Sequence, residues 1–220
     1  MKKNRKIALF EIVIFIVIVL LDGIGILPIS QTIYLLPLIW ITMKIQKETR
    51  DKIGLTIGHR SLAKSILVGF FLGIIIELFA TYFTTPLFSH FFGTQPNMNH
   101  FQMIKGNFIF LIFFIFLSWI LAAFGEEICF RGFLMNRIAN LFGQNKFAWT
   151  FSLILSSVLF GWSHTEQGIT GWIQEGLSGL FLGVIFLVSG KNLTIPIITH
   201  GVSNTLAFVL IYLGKYPGIF

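Results

Sequence analysis

The sequence predicts an all-α fold, a polytopic transmembrane helical bundle of about seven to eight spans. Three observations carry that reading. First, the 220 residues are 55% hydrophobic and only 11% charged, where a soluble domain carries about 25% charged residues. Second, mean hydropathy is +0.84, so the chain cannot cover its own surface with polar groups and lipid is the expected solvent. Third, apolar runs of spanning length recur along the chain, and the basic residues gather in the connections between them.

The elements follow in order. Residues 7–27 come after Lys2, Lys3, Arg5 and Lys6, as in a signal peptide. No small-x-small site follows Leu21, so a retained first helix is expected. Glu11 sits one turn into it. Asp22, Gly23, Gly25 and Pro28 break the apolar pattern before a second run, 29–45. Further spans are expected at 65–85, 107–125, 147–163, 171–190 and 194–213. Each span satisfies its own backbone hydrogen bonds, which lipid demands. The connection 44–64 is polar and basic, and should lie along the membrane surface against anionic headgroups. The stretch 91–107 holds Gly93, Pro96 and several Asn, and reads as a loop. The abundant Phe reads as lipid-facing surface.

Net charge is +7 and the pI about 9.7. In a chain of this composition those bases report membrane orientation, not nucleic-acid binding. With the N-terminus in the cytoplasm, every Lys and Arg except Lys105 and Lys215 falls on the cytoplasmic side. The expectation is a multi-pass protein of the plasma membrane, N-terminus inside and C-terminus outside. The same map puts Glu126 beside a basic turn, near the cytoplasmic face. Cys129 is the one cysteine, so no intrachain disulfide forms, and it reads as a packing residue.

Ionisable groups at membrane depth cost on the order of 3 kcal/mol each on insertion scales, and are functional candidates by default. They are Glu11, Asp22, Glu77, Glu126, Glu127, Glu166, Glu175, His164 and His200. Glu126 and Glu127 are adjacent, and Arg131 lies one helical turn after Glu127. That pairing leaves Glu126 free as a base for water; a helix-end salt bridge is the alternative. His164 closes the run Phe160-Gly161-Trp162-Ser163-His164. It suits either catalysis or a hydrogen-bonded place at a membrane interface. His200 and Asn204 share a helix face, where both could donate to an oxyanion or hold helices together. A hairpin at Gly143–Lys146 would return Glu126 and His164 to similar depth. His200 joins them if 131–140 projects past the membrane surface.

The three motifs together resemble one family, the CAAX-protease and bacteriocin-processing (Abi) membrane peptidases. Its pattern is E-E-x-x-x-R, F-x-x-x-H and H-x-x-x-N. Here it reads Glu126-Glu127-Ile128-Cys129-Phe130-Arg131, Phe160 to His164, and His200-Gly201-Val202-Ser203-Asn204. The resemblance implies an intramembrane glutamic endopeptidase. It divides the chain into N-terminal helices, 1–106, and a catalytic membrane domain, 107–213. It implies that Glu126 activates water with help from His164, and that His200 and Asn204 hold the oxyanion. Glu127, Arg131 and Phe160 support them. The implied substrates are membrane-associated: C-terminal segments of lipidated proteins, hydrophobic peptides or leader sequences. No cofactor is expected. A zinc version would use Glu126, His164 and His200. A non-catalytic immunity or scaffold protein, and a transporter using Glu77, Glu127 and Glu175, are the readings from other classes.

Overall fold

A computed structural model describes residues 2–56 and 62–218; the side chains of Lys2, Lys3 and Asn4, and all of Arg60, lie outside the described set. Within it the chain is all-helical. Seven apolar helices follow the predicted runs: α1 (Lys2–Gly23), α2 (Gln31–Gln46), α3 (Leu62–Phe92), α4 (Phe108–Leu141), α5 (Lys146–Trp162), α6 (Gly168–Val188) and α7 (Thr194–Tyr212). Four of these, α3, α4, α6 and α7, are long and apolar enough to cross a membrane. The chain is an integral membrane protein.

Local chemistry sets the ends. Asn107 accepts from the Ile109 and Phe110 amides at 3.1 and 3.2 Å and starts α4. Asn145 accepts from Ala148 at 2.8 Å and starts α5. These satisfy amides that a helix start leaves unpaired. Gly93, at φ +68°, ends α3 in a left-handed turn. Part of the expected loop 91–107 is instead ordered, as a short 3₁₀ turn at Asn99–Ile104. The basic connection after α2 contains a second such turn at Arg50–Ile53.

Two helices depart from the expected spans in length. α3 has 31 residues and α4 has 34, where about 20 suffice to span. The expected end of the fourth span at residue 125 is therefore wrong by sixteen positions. Apolar periodicity stops at Gly125, but the helix continues because its polar residues find partners inside the bundle. Trp119–Met135 hydrogen-bonds from i to i+5, a wide turn that concentrates at functional sites. A turn closing at the fifth residue sets position 131 below both 126 and 127.

The connections divide into two ends. At the first, Leu193 N donates to Gly54 O at 3.0 Å and Asn192 to Thr56 O at 2.8 Å. There, too, Lys191 stands over the Trp149 ring. At the second, Asn97 N donates to Gln167 O at 2.9 Å and Gly106 N to Tyr212 O at 3.0 Å, and Thr165 bonds Gly23 O. These are the two sets that the charge map separates. Two of the bases counted in that map are not free, however. Arg131 is buried in the core, and Arg137 is buried between Glu11 and Glu48, at 2.8 and 2.9 Å.

The main core joins α1, α2, α4 and α5 around Phe15, Phe130, Phe133 and Phe160. α3 lies along α7 and α5 along α6. Small residues allow the close approach. A Cβ on Gly73 would meet Thr199 O at 2.6 Å, and one on Gly201 would meet the Trp119 ring at 2.6 Å. Without a hydrophobic drive between helices in lipid, such backbone proximity is a main source of packing energy. It fixes α7, which carries two of the motif residues, against α3 and α4.

Candidate active site

The bundle encloses a cavity of about 570 Å³. Glu126, Phe160, His164, His200 and Asn204 all line it. Residues from three distant stretches, one in α4, one at the end of α5 and its following connection, and one in α7, thus meet in one space. Glu127 and Arg131 stand behind its wall, fully buried.

The wall is built on Glu127. Its Oε1 accepts from Arg131 Nη1 at 2.9 Å and faces His200 Nδ1 at 2.9 Å. Arg131 Nη2 donates to Gly179 O at 3.0 Å, and the guanidinium lies 4.4 Å from the Phe160 ring centroid. Glu127 therefore orients His200 as well as closing the first motif. Glu127 Oε1 already accepts from Arg131 Nη1, and as an acceptor it is matched by a proton on His200 Nδ1. His200 Nε2 is then the atom offered to the cavity, 4.0 Å from Glu126 Oε2.

His164 is oriented in the same way by a different acceptor. Its Nδ1 lies 2.9 Å from Phe160 O. A carbonyl only accepts, so Nδ1 carries the proton and Nε2 has the lone pair. Asn204 donates one amide proton to Ser118 Oγ at 3.0 Å, which leaves a second for a ligand. Glu126 has no other close polar partner among the described residues, and is 9% exposed.

The sequence misses Ser118 in the cavity, and marks Glu77 and Glu175 only as ionisable groups in lipid, without their place. Ser118 holds Asn204, and its only signal was one hydroxyl in a run of Phe, Ile and Leu. Glu77 accepts from Thr81 at 3.0 Å and Ser203 at 2.7 Å, and so anchors the middle of the third motif. Glu175 also lines the cavity. A sequence cannot say which neighbours of an intramembrane acid satisfy it. Cys129 is fully buried, as a packing residue should be. No three His, Cys, Asp or Glu side chains form a metal-holding group among the described residues; the set Glu126, His164 and His200 is not gathered as one.

A family model described as type II CAAX prenyl endopeptidase, Rce1-like, matches residues 108–206. That segment of the chain is similar to this family. No curated protein and no solved structure matches the chain. The Rce1-like segment begins at the first residue of α4 and ends inside α7, so it contains all three motifs and excludes α1–α3. The likeness is thus to CAAX-type membrane proteases. Yet α1–α3 are not spectators of the Rce1-like site. Asp22, Gln31 and Glu77 line the same cavity.

The cavity also corrects the expected depth of Glu126. α4 continues to Leu141, so Glu126 lies mid-helix and not beside the basic turn. The cavity is walled by Asp22, Gln31, His100, Glu166 and Tyr216. All of these belong to the second end, away from the basic connections.

Proposed function

We propose that this protein is an intramembrane glutamic endopeptidase in which Glu126 is the base. The observation that supports this most is the division of labour between two adjacent acids. Glu127 is consumed by Arg131 and His200, while Glu126 faces the cavity without a close partner. Glu126 removes a proton from water as the oxygen attacks the scissile carbonyl. The His164 Nε2 lone pair holds the same water. The carbonyl π electrons move to oxygen, and Asn204 and His200 receive that oxyanion. For His200 to donate from Nε2 while Nδ1 donates to Glu127, the ring must carry both protons. Its charge is then balanced by Glu127 and, once Glu126 has taken the water proton, by the oxyanion itself. Collapse of the intermediate breaks the C–N bond, and Glu126 returns its proton to the leaving amine.

The substrates are C-terminal or leader segments of lipidated proteins or hydrophobic peptides. Comparing membrane peptidomes of wild type and Glu126→Ala tests this. Peptides that accumulate uncut in the variant identify the substrate class. If processing survives at normal protein levels, the chain is a scaffold or immunity protein instead.

One feature would suit zinc. A metal-bound His commonly donates its other ring N–H to a carboxylate, as His200 does to Glu127. Asn204 argues the other way, being a poor zinc ligand and a good oxyanion donor. We expect protein stripped with a chelator to retain its peptidase activity. Loss on stripping with recovery on adding zinc would replace this mechanism with a metal-dependent one.

Orientation follows from charge. Basic residues at the first end favour a cytoplasmic N-terminus in the plasma membrane, and the cavity then opens on the outer side. Single cysteines at Lys47 and Gln102, both exposed, would report it. Cys129 is buried and gives little background. An impermeant maleimide should label Gln102→Cys in intact cells and Lys47→Cys only after permeabilisation. The reverse pattern would put the cavity on the cytoplasmic side.

A further inference from the structure

The charge inside the cavity opposes that of the whole chain. Net charge is +7, with 16 Lys and Arg against 9 Asp and Glu. Yet the cavity is lined by Asp22, Glu77, Glu126, Glu166 and Glu175, and by no Lys or Arg. Most of the acids of a basic protein are thus collected in one space. Deep in it, Glu77 is satisfied by Thr81 and Ser203, and Glu126 serves the reaction proposed above. The mouth is different. Asp22 stands in the last turn of α1 and Glu166 in the α5–α6 connection. The bond from Thr165 to Gly23 O draws the two segments together. Gln31, the first residue of α2, joins the same wall and is 2% exposed. Its Oε1 has no hydrogen-bond donor. A buried carbonyl oxygen without a donor is costly to leave so. The mouth therefore offers two carboxylates and an unused acceptor, all of which call for a cationic donor.

We propose that the cavity mouth selects substrates by a lysine or arginine, which Asp22, Glu166 and the Gln31 amide oxygen receive. The proposal rests on the peptidase reading for its meaning, since the cation would hold the peptide with its scissile bond toward Glu126. The specificity itself is a binding property. The basic connections lie at the other end of the bundle, so a preference for basic peptides at this end is set by the acids of the mouth.

Binding can be read apart from cleavage by using full-length Glu126→Gln protein in neutral detergent. The probes are a short labelled apolar peptide carrying a Lys-Lys pair and its Gln-Gln counterpart, followed by fluorescence anisotropy. We expect the Lys-Lys peptide to bind at least about tenfold tighter near 0.15 M salt, with the gap shrinking toward 1 M as screening shortens. Glu166→Lys, at an exposed position, should abolish or reverse the preference without disturbing the fold. Asp22→Asn should weaken it on its own. Equal binding of the two peptides, or a preference that survives Glu166→Lys, overturns the proposal. Cleavage of both peptides by wild type with no discrimination would do the same while leaving the peptidase reading intact. Discrimination in binding with cleavage of neither would sink the peptidase reading and keep the cation site.

Discussion

Replacing Glu126 with Gln is expected to abolish peptide cleavage while the protein remains folded. General base catalysis contributes about 10²–10⁴-fold to rate. Loss of the residue that both takes and returns the proton should therefore lower kcat by at least the upper part of that range. Gln keeps the shape and loses the basic oxygen. The fold should tolerate it, because the basic nitrogen facing Glu126, His200 Nε2, is 4.0 Å away, too far for a hydrogen bond. The check is kcat on a cleavable peptide, together with the melting temperature of the same preparation. An unchanged melting temperature with kcat near wild type would remove Glu126 from the mechanism. A collapse of both would make it a structural acid.

Arg131→Ala is expected to have the opposite signature, a large loss of stability. The side chain is 1% exposed and Glu127 is 0% exposed. Removing one partner of a buried ion pair costs about 3–5 kcal/mol, because the other charge is left uncompensated. Arg131 also donates to Gly179 O and covers the Phe160 ring, so α6 and α5 lose contacts with α4 at the same time. Thermal unfolding in detergent, or the amount of folded protein in the membrane, measures the loss. The double variant Arg131→Met, Glu127→Gln should recover part of it, since no charge is then stranded. It should not recover activity, because His200 would lose the carboxylate that orients it. Full stability of Arg131→Ala would mean that Glu127 is not held as a carboxylate, and the assignment of protons on His200 would fall with it.

Much of this protein is legible in its sequence. Hydropathy locates all seven helices, because lipid tolerates only segments that satisfy their own backbone. The adjacent acids, the F-x-x-x-H run and the H-x-x-x-N face are visible because charge and amide groups are rare at membrane depth. The Glu127–Arg131 pair follows from spacing alone, and forms at 2.9 Å. The resemblance is legible as well, since the matched residues 108–206 contain the three motifs in order.

What the sequence could not determine is everything that depends on which helix faces which. Hydropathy ended the fourth span at residue 125. The helix runs on to Leu141 because Arg131 pairs with Glu127 one turn back and Arg137 meets Glu11 and Glu48 across the bundle, and a polar run with partners need not leave the helix. That extension moves Glu126 to mid-helix and turns the cavity away from the basic connections. Ser118, Glu77, Asp22 and Gln31 join the cavity from segments outside the motifs; the two acids stand out as charges in lipid, but no pattern within any one segment assigns them to this cavity, and nothing marks Ser118 or Gln31. A sequence records which groups are costly in lipid. Only the packing of the helices decides what each of those groups meets, and therefore that Glu127 is spent on structure while Glu126 is left for chemistry.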